Sequence, residues 1–178
     1  MLIETMTIDE CFALLARNHT ARLACARDNQ PYIVPVQVHL EGDSFYGYAT
    51  LGRKIEWMRA NPLVCLEFEE LTTSRQWASV VVLGAYDELP RTLDNEGARQ
   101  VAQRLFQKHP MWWEPAALSP GGEKRPAVVF RIHISSVTGR RTRHETDREA
   151  PEEQPVPRSA GYGWLTQLWR RLRGSPAD

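Results

Sequence analysis

A mainly β, antiparallel barrel or sandwich with peripheral helices is the fold class this sequence predicts. Strand-like stretches outnumber helical ones, and short polar turns join most of them. Only one short helix, after Lys54, falls between neighbouring strands, so the β-α-β repetition of a parallel sheet is missing. The chain has 178 residues, enough for one domain with a real core plus a tail.

The elements follow in order. Thr7-Ile8-Asp9-Glu10 reads as a capping box, and Ile8, Cys11, Phe12 and Leu15 then share one helical face. Asn18-His19 ends that helix. Ala21 to Ala26 is a short strand, Arg27-Asp28-Asn29-Gln30 a hairpin-type turn, and Tyr32 to Leu40 a second strand. Pro35 interrupts the donor row of that strand, so an edge or a bulge is expected there. After Glu41-Gly42-Asp43 comes the strand Ser44 to Ala49. Ile55, Trp57, Met58 and Arg59 suggest a short helix that Asn61-Pro62 stops. Leu63 to Phe68 and Trp77 to Tyr86 are strands, with Glu69 to Arg75 read as a polar loop between them. Asp94 to His109 carries helical periodicity through Ala98, Val101, Leu105 and Phe106, and Pro110 closes it. Met111 to Pro126 reads as a loop containing Trp112 and Trp113, before a last strand, Ala127 to Ile134.

From Gly139 the composition shifts to charge and proline. The expected division is a domain over 1–138, a charged, Pro-rich linker over 139–160, and a short basic amphipathic helix or tail over 161–178. In that tail Trp164, Leu165, Leu168, Trp169 and Leu172 recur at helical spacing beside Arg170, Arg171 and Arg173. A membrane-surface helix, a helix docked on its own domain or on a partner, and a disordered tail all fit that pattern.

The bulk numbers exclude several classes. Formal net charge is zero, so no overall field draws the chain to nucleic acid or to a membrane surface. Cys11, Cys25 and Cys65 sit singly among apolar residues without metal-type spacing, which suggests reduced thiols in a cytoplasm. No apolar run approaches the roughly 20 residues of a membrane span. The N-terminus MLIETMTIDE has acids where a signal peptide has bases, so export is not expected.

The chemistry concentrates at Thr50-Leu51-Gly52-Arg53-Lys54, where a strand turns into a helix. Helix starts leave N–H groups unpaired and favour anions, and two cations and a hydroxyl beside one make a seat for a phosphate monoester. The glycine spacing fits neither a Walker loop nor a dinucleotide loop, and a solvated basic turn would have the same spelling.

Taken together, the initial helix with Ala21-Arg22-Leu23-Ala24, Pro31-Tyr32-Ile33-Val34-Pro35-Val36, Tyr46 to Lys54 and Asn61-Pro62-Leu63-Val64 form an ordered series. Trp77 to Gly84, Val129-Phe130-Arg131-Ile132 and Val137-Thr138-Gly139-Arg140-Arg141 continue it. The series resembles, over roughly residues 5 to 141, the FMN-binding split barrels related to pyridoxamine 5′-phosphate oxidase, most of all the small bacterial branch that includes nitroimidazole-resistance proteins. The resemblance implies a six-stranded antiparallel split β-barrel of Greek-key type with peripheral helices, working as a homodimer with FMN in a groove between subunits. It places Thr50, Gly52, Arg53 and Lys54 at the phosphate, Val34, Pro35 and Val36 at the polar edge of the isoalloxazine, and Trp77 and Ser79 nearby. Ser79 stands where the vitamin-B6 oxidases carry a flavin-contacting glutamine. Arg22 is expected to pair with a surface acid, and His39 and His133 to be hydrogen-bonded structural residues.

Two functions remain open on this reading. One is a flavin-dependent oxidoreductase acting on a small organic electron acceptor, with no side-chain acid, base or nucleophile required. The other is a protein that binds or stores a flavin, haem or deazaflavin without catalysis. Arg131-Ile132-His133 has the spelling of the B6 oxidases' substrate element but lies inside the last strand, so oxidation of pyridoxamine phosphate is not expected.

Overall fold

The computed structural model describes residues 2–73, 76–109 and 127–143. They form seven strands, β1 (Leu2–Thr5), β2 (Thr20–Arg27), β3 (Gln30–Glu41), β4 (Ser44–Thr50), β5 (Leu63–Thr73), β6 (Gln76–Glu88) and β7 (Ala127–Arg143). Helices α1 (Ile8–Arg17), α2 (Arg53–Ala60) and α3 (Glu96–Lys108) accompany them. None of these helices is long and apolar enough to cross a membrane.

All pairings are antiparallel. β7, β4, β3, β2, β5 and β6 follow one another, and β6 returns to β7, so six strands close the ring. The expected six-stranded barrel is there, and β1 is a seventh strand that the sequence reading did not include. It is short and mostly exposed, and it pairs with the far end of β7, Leu2 opposite Arg143 through Thr5 opposite Arg140. β7 therefore runs well past Ile134. Residues 139–143, expected to begin a linker, are strand, held by Arg141, which bridges Glu4 at 2.6 Å and Glu10 at 2.7 Å. Glu69 to Thr73, expected in a loop, likewise continues β5 against β6. Trp112, Trp113, most of the 139–160 segment and the 161–178 tail lie outside the described residues.

Local chemistry fixes the ends. Thr7 and Glu10 form the capping box of α1, with the Glu10 carboxylate accepting from the Thr7 N–H at 2.7 Å. Asp28 and Asn29 take positive φ in the two-residue turn between β2 and β3, which both residue types tolerate better than most. Inside the ring, Leu23, Val38, Phe45, Leu66, Phe68, Val80, Val82, Phe130 and Ile132 are almost wholly buried, and Phe45 stacks on Phe68 at 5.1 Å. Each such side chain contributes about 1.5–3 kcal/mol of burial. α1 closes the ring with Cys11, Phe12, Leu14 and Leu15, and Gly139 is needed beneath it, since a Cβ there would lie 2.5 Å from Cys11 Sγ. α3 packs outside the ring, where Ala102 and Leu105 cover Tyr46 and Leu89.

Candidate functional site

The ring opens at one seam. β3 pairs with β2 along its first part, Gln30 to Gln37, but with β4 only from Val38 to Glu41. β4 leaves β3 after Gly47, while its other edge pairs with β7 along its whole length, Ser44 to Thr50. Val34-Pro35-Val36 and Tyr48-Ala49-Thr50, then, do not pair with each other: the first ladders with β2 on its other edge and the second with β7. Pro35 sits opposite Arg22 on β2, and an edge without a second partner tolerates its missing N–H.

α2 begins at this seam. Gly52 is its N-cap, in extended backbone with open space around its Cα, and offers no side-chain acceptor to the first N–H groups. The contrast is with α1, whose start Thr7 closes. Arg53 and Trp57, four residues apart and so on one helix face, both meet Tyr32 of β3: the guanidinium lies 5.5 Å from the ring centre and the indole 5.5 Å. Tyr32 thereby holds the helix start against the free edge of β3.

Lys54 is half-buried, and no hydrogen bond or ion pair joins it to another described residue. Desolvation pulls its pKa below the ordinary lysine value, because burial penalises the charged form. An unpaired, partly desolvated ammonium at an uncapped helix start favours an anion. The structure thus brings Val34, Pro35, Val36, Thr50, Gly52, Arg53 and Lys54 to one seam.

It does not bring Trp77 and Ser79 there. Both lie on β6, separated from β3 by β2 and β5. The Trp77 N–H donates to Thr142 Oγ1 at 2.9 Å, and Ser79 Oγ donates to Glu67 Oε1 at 2.7 Å. Arg22 bridges Glu67 at 3.1 Å and Glu69 at 2.6 Å, so it pairs with surface acids as expected. His133 Nδ1 meets Ser44 Oγ at 3.1 Å. His39 departs from expectation: it is buried, and neither ring nitrogen has a hydrogen-bond partner.

An antiparallel barrel that opens along one seam, with a cationic helix start beside the opening, has the architecture of a split barrel. Residues 7–141 match the model of the pyridoxamine 5′-phosphate oxidase family, and the chain belongs to that family. A curated uncharacterized protein of Rhizobium meliloti (strain 1021) is 41% identical over 144 residues, 79% of this chain and 95% of that one. The crystal structure of a FAD-binding protein from Mesorhizobium loti is 43% identical, with a TM-score of 0.70, covering 80% of this chain and 100% of the other. The haem storage protein of Vibrio cholerae shares the fold at 12% identity and TM-score 0.56, over 73% of this chain and 92% of its own.

Proposed function

We propose that the chain binds FMN at the seam between β3 and β4 and uses it to reduce a small organic acceptor. The unpaired, half-buried Lys54 at the uncapped start of α2 is the observation that carries this reading. Its charge and that of Arg53 suit a terminal phosphate monoester, with the Thr50 hydroxyl as a further donor. The Mesorhizobium loti relative, named a FAD-binding protein, supports a flavin as the ligand class. A monoester that ends at two cations favours FMN over a dinucleotide.

Bound there, the flavin supplies the two-electron chemistry. The chain's own residues bind and orient it. Lys54 and Arg53 fix the phosphate end, Val34, Pro35 and Val36 offer a free backbone edge, and Tyr32 and Trp57 hold α2 in place.

A second copy completes the groove. Trp77 and Ser79 are too far round the ring to serve the seam of their own chain, so a homodimer in which each serves the other's seam reconciles the two halves. Ile33, Ala24, Cys65 and Leu83 follow one another in register across the outer face of β3, β2, β5 and β6. Ile33 is 60% exposed and Leu83 51%, an apolar row suited to self-association.

Titrating apoprotein with FMN, FAD, riboflavin, deazaflavin and haem tests the reading. FMN should bind more tightly than riboflavin, and the yellow complex should bleach with a reduced nicotinamide and recover with a nitro or quinone acceptor. Riboflavin binding as tightly as FMN, or a Soret band in place of flavin absorbance, overturns the phosphate seat. A bound flavin that no donor and acceptor pair turns over assigns the chain to storage instead.

A further inference from the structure

His19, immediately before β2, His39, near the end of β3, and His109, at the C-cap of α3, converge from three separate places in the chain. Their ring centres lie 4.7 Å (His19–His39), 4.5 Å (His19–His109) and 5.0 Å (His39–His109) apart. One nitrogen from each lies within 4.8 Å of the others. The backbone fixes two of them side by side, because Val38 N–H donates to the His19 carbonyl at 2.9 Å.

Nothing in the described protein explains the polarity of this cluster. His39 is 1% exposed with Nδ1 and Nε2 both unpartnered, and His19 Nδ1 is buried and unpartnered too. Each buried polar atom left unsatisfied costs about 1–3 kcal/mol, so three such nitrogens on two adjoining rings are not a neutral packing choice. No carboxylate belongs to the cluster, so an imidazolium there has no counter-charge within it. A neutral imidazole has one nitrogen lone pair free to ligate.

We propose that His19, His39 and His109 form a binding site for one divalent transition-metal ion of the zinc class. Three imidazole nitrogens suit zinc or a borderline neighbour such as cobalt, whereas magnesium and calcium require oxygen. Zn–N bonds of about 2.0–2.1 Å set nitrogens roughly 3.3 Å apart in a tetrahedron, so side-chain rotations drawing the rings together close the site. The fourth position is left to water or another ligand. The ion ties the last turn of α3 to β2 and β3, a structural role, and the site stands whether or not the seam binds flavin.

The test uses full-length protein stripped with chelator and titrated with zinc chloride alone, then with cobalt chloride. One zinc per chain, a higher melting temperature with zinc, and the intense visible bands of tetrahedral cobalt are expected. His39→Ala should abolish all three. Because that variant leaves a cavity, His109→Gln, at the partly exposed end, is the second probe; losing a ligand should weaken zinc binding at least as much as the roughly 100-fold reached on losing a supporting contact. Failure of the wild type to bind zinc at micromolar concentration overturns the site. So does His109→Gln binding zinc as tightly as the wild type, the result expected if the cysteines held the metal instead.

Discussion

Lys54→Met separates the charge of the candidate seat from its packing. The thioether keeps an unbranched stem in a half-buried position and removes only the ammonium. If a phosphate bonds to Lys54, the loss is that of a charge-assisted hydrogen bond, about 1.5–3 kcal/mol. That corresponds to FMN binding weakened roughly 10- to 150-fold. Riboflavin, which lacks the phosphate, should bind the variant and the wild type alike. In the apoprotein the sign reverses. Burial lowers the pKa of Lys54, so the folded state tolerates the charge less well than the unfolded state does. Removing it should leave the apoprotein's melting temperature unchanged or raise it. Flavin fluorescence quenching measures the affinities, and a thermal melt without ligand measures the stability. Equal FMN affinity for both proteins would refute the seat. An equal loss for FMN and riboflavin, with a lowered melting temperature, would show general damage instead.

Other outcomes follow from particular contacts. Gly84→Ala places a Cβ 2.5 Å from the His133 carbonyl oxygen, a backbone atom that cannot swing away, so urea denaturation should show a loss of about 1–3 kcal/mol. An unchanged midpoint there would mean that β6 and β7 are less closely apposed than their register implies. The Thr7 N–H, with Arg141, holds the Glu10 carboxyl below its usual range. A depressed carboxyl stabilises the fold above its unfolded pKa and loses that effect as pH falls through the folded one, so the gap between wild type and Glu10→Gln should be full at pH 7 and close in acid. For the homodimer, co-refolding Lys54→Met chains with Trp77→Ala chains should restore tight FMN binding to about a quarter of the grooves, since a mixed pair holds one intact groove. No recovery on mixing would place both residues at a groove built by one chain.

Much of the barrel was legible because its strands alternate or run apolar and its turns carry Asp, Asn and Gly. What escaped has a shared cause. β1, Glu69 to Thr73 and residues 139–143 are strand because a neighbour pairs with them, and their own side chains are largely polar or exposed. Arg141 reads as linker charge in one dimension; its bridges to Glu4 and Glu10 exist only once β7 lies beside β1 and α1. At the seam, Gly52 with Arg53 and Lys54 marks the helix start from spelling alone. The isolation of Lys54 from any described acid and the unpaired edge of β3 depend on register, which no local pattern reveals. The histidines were harder still. His19, His39 and His109 have no ligand spacing, and one of them read as an ordinary strand residue.

The two sites use successive stretches of one strand, which makes them separable by experiment. Along β3 the free edge at Val34 to Val36 precedes the short pairing with β4, and His39 falls within that pairing, opposite Tyr46. Val38 points into the ring core, so alternation turns the His39 imidazole outward, beneath α3, where it lies 6.2 Å from the Phe106 ring. A chelator that takes the ion from the histidines should loosen the end of α3 while the Val38–Glu41 pairing keeps the seam in place. FMN affinity should then survive metal removal, and zinc binding should survive Lys54→Met. If chelation released the flavin, the Val38–Glu41 ladder would have to be too weak to isolate the seam from α3.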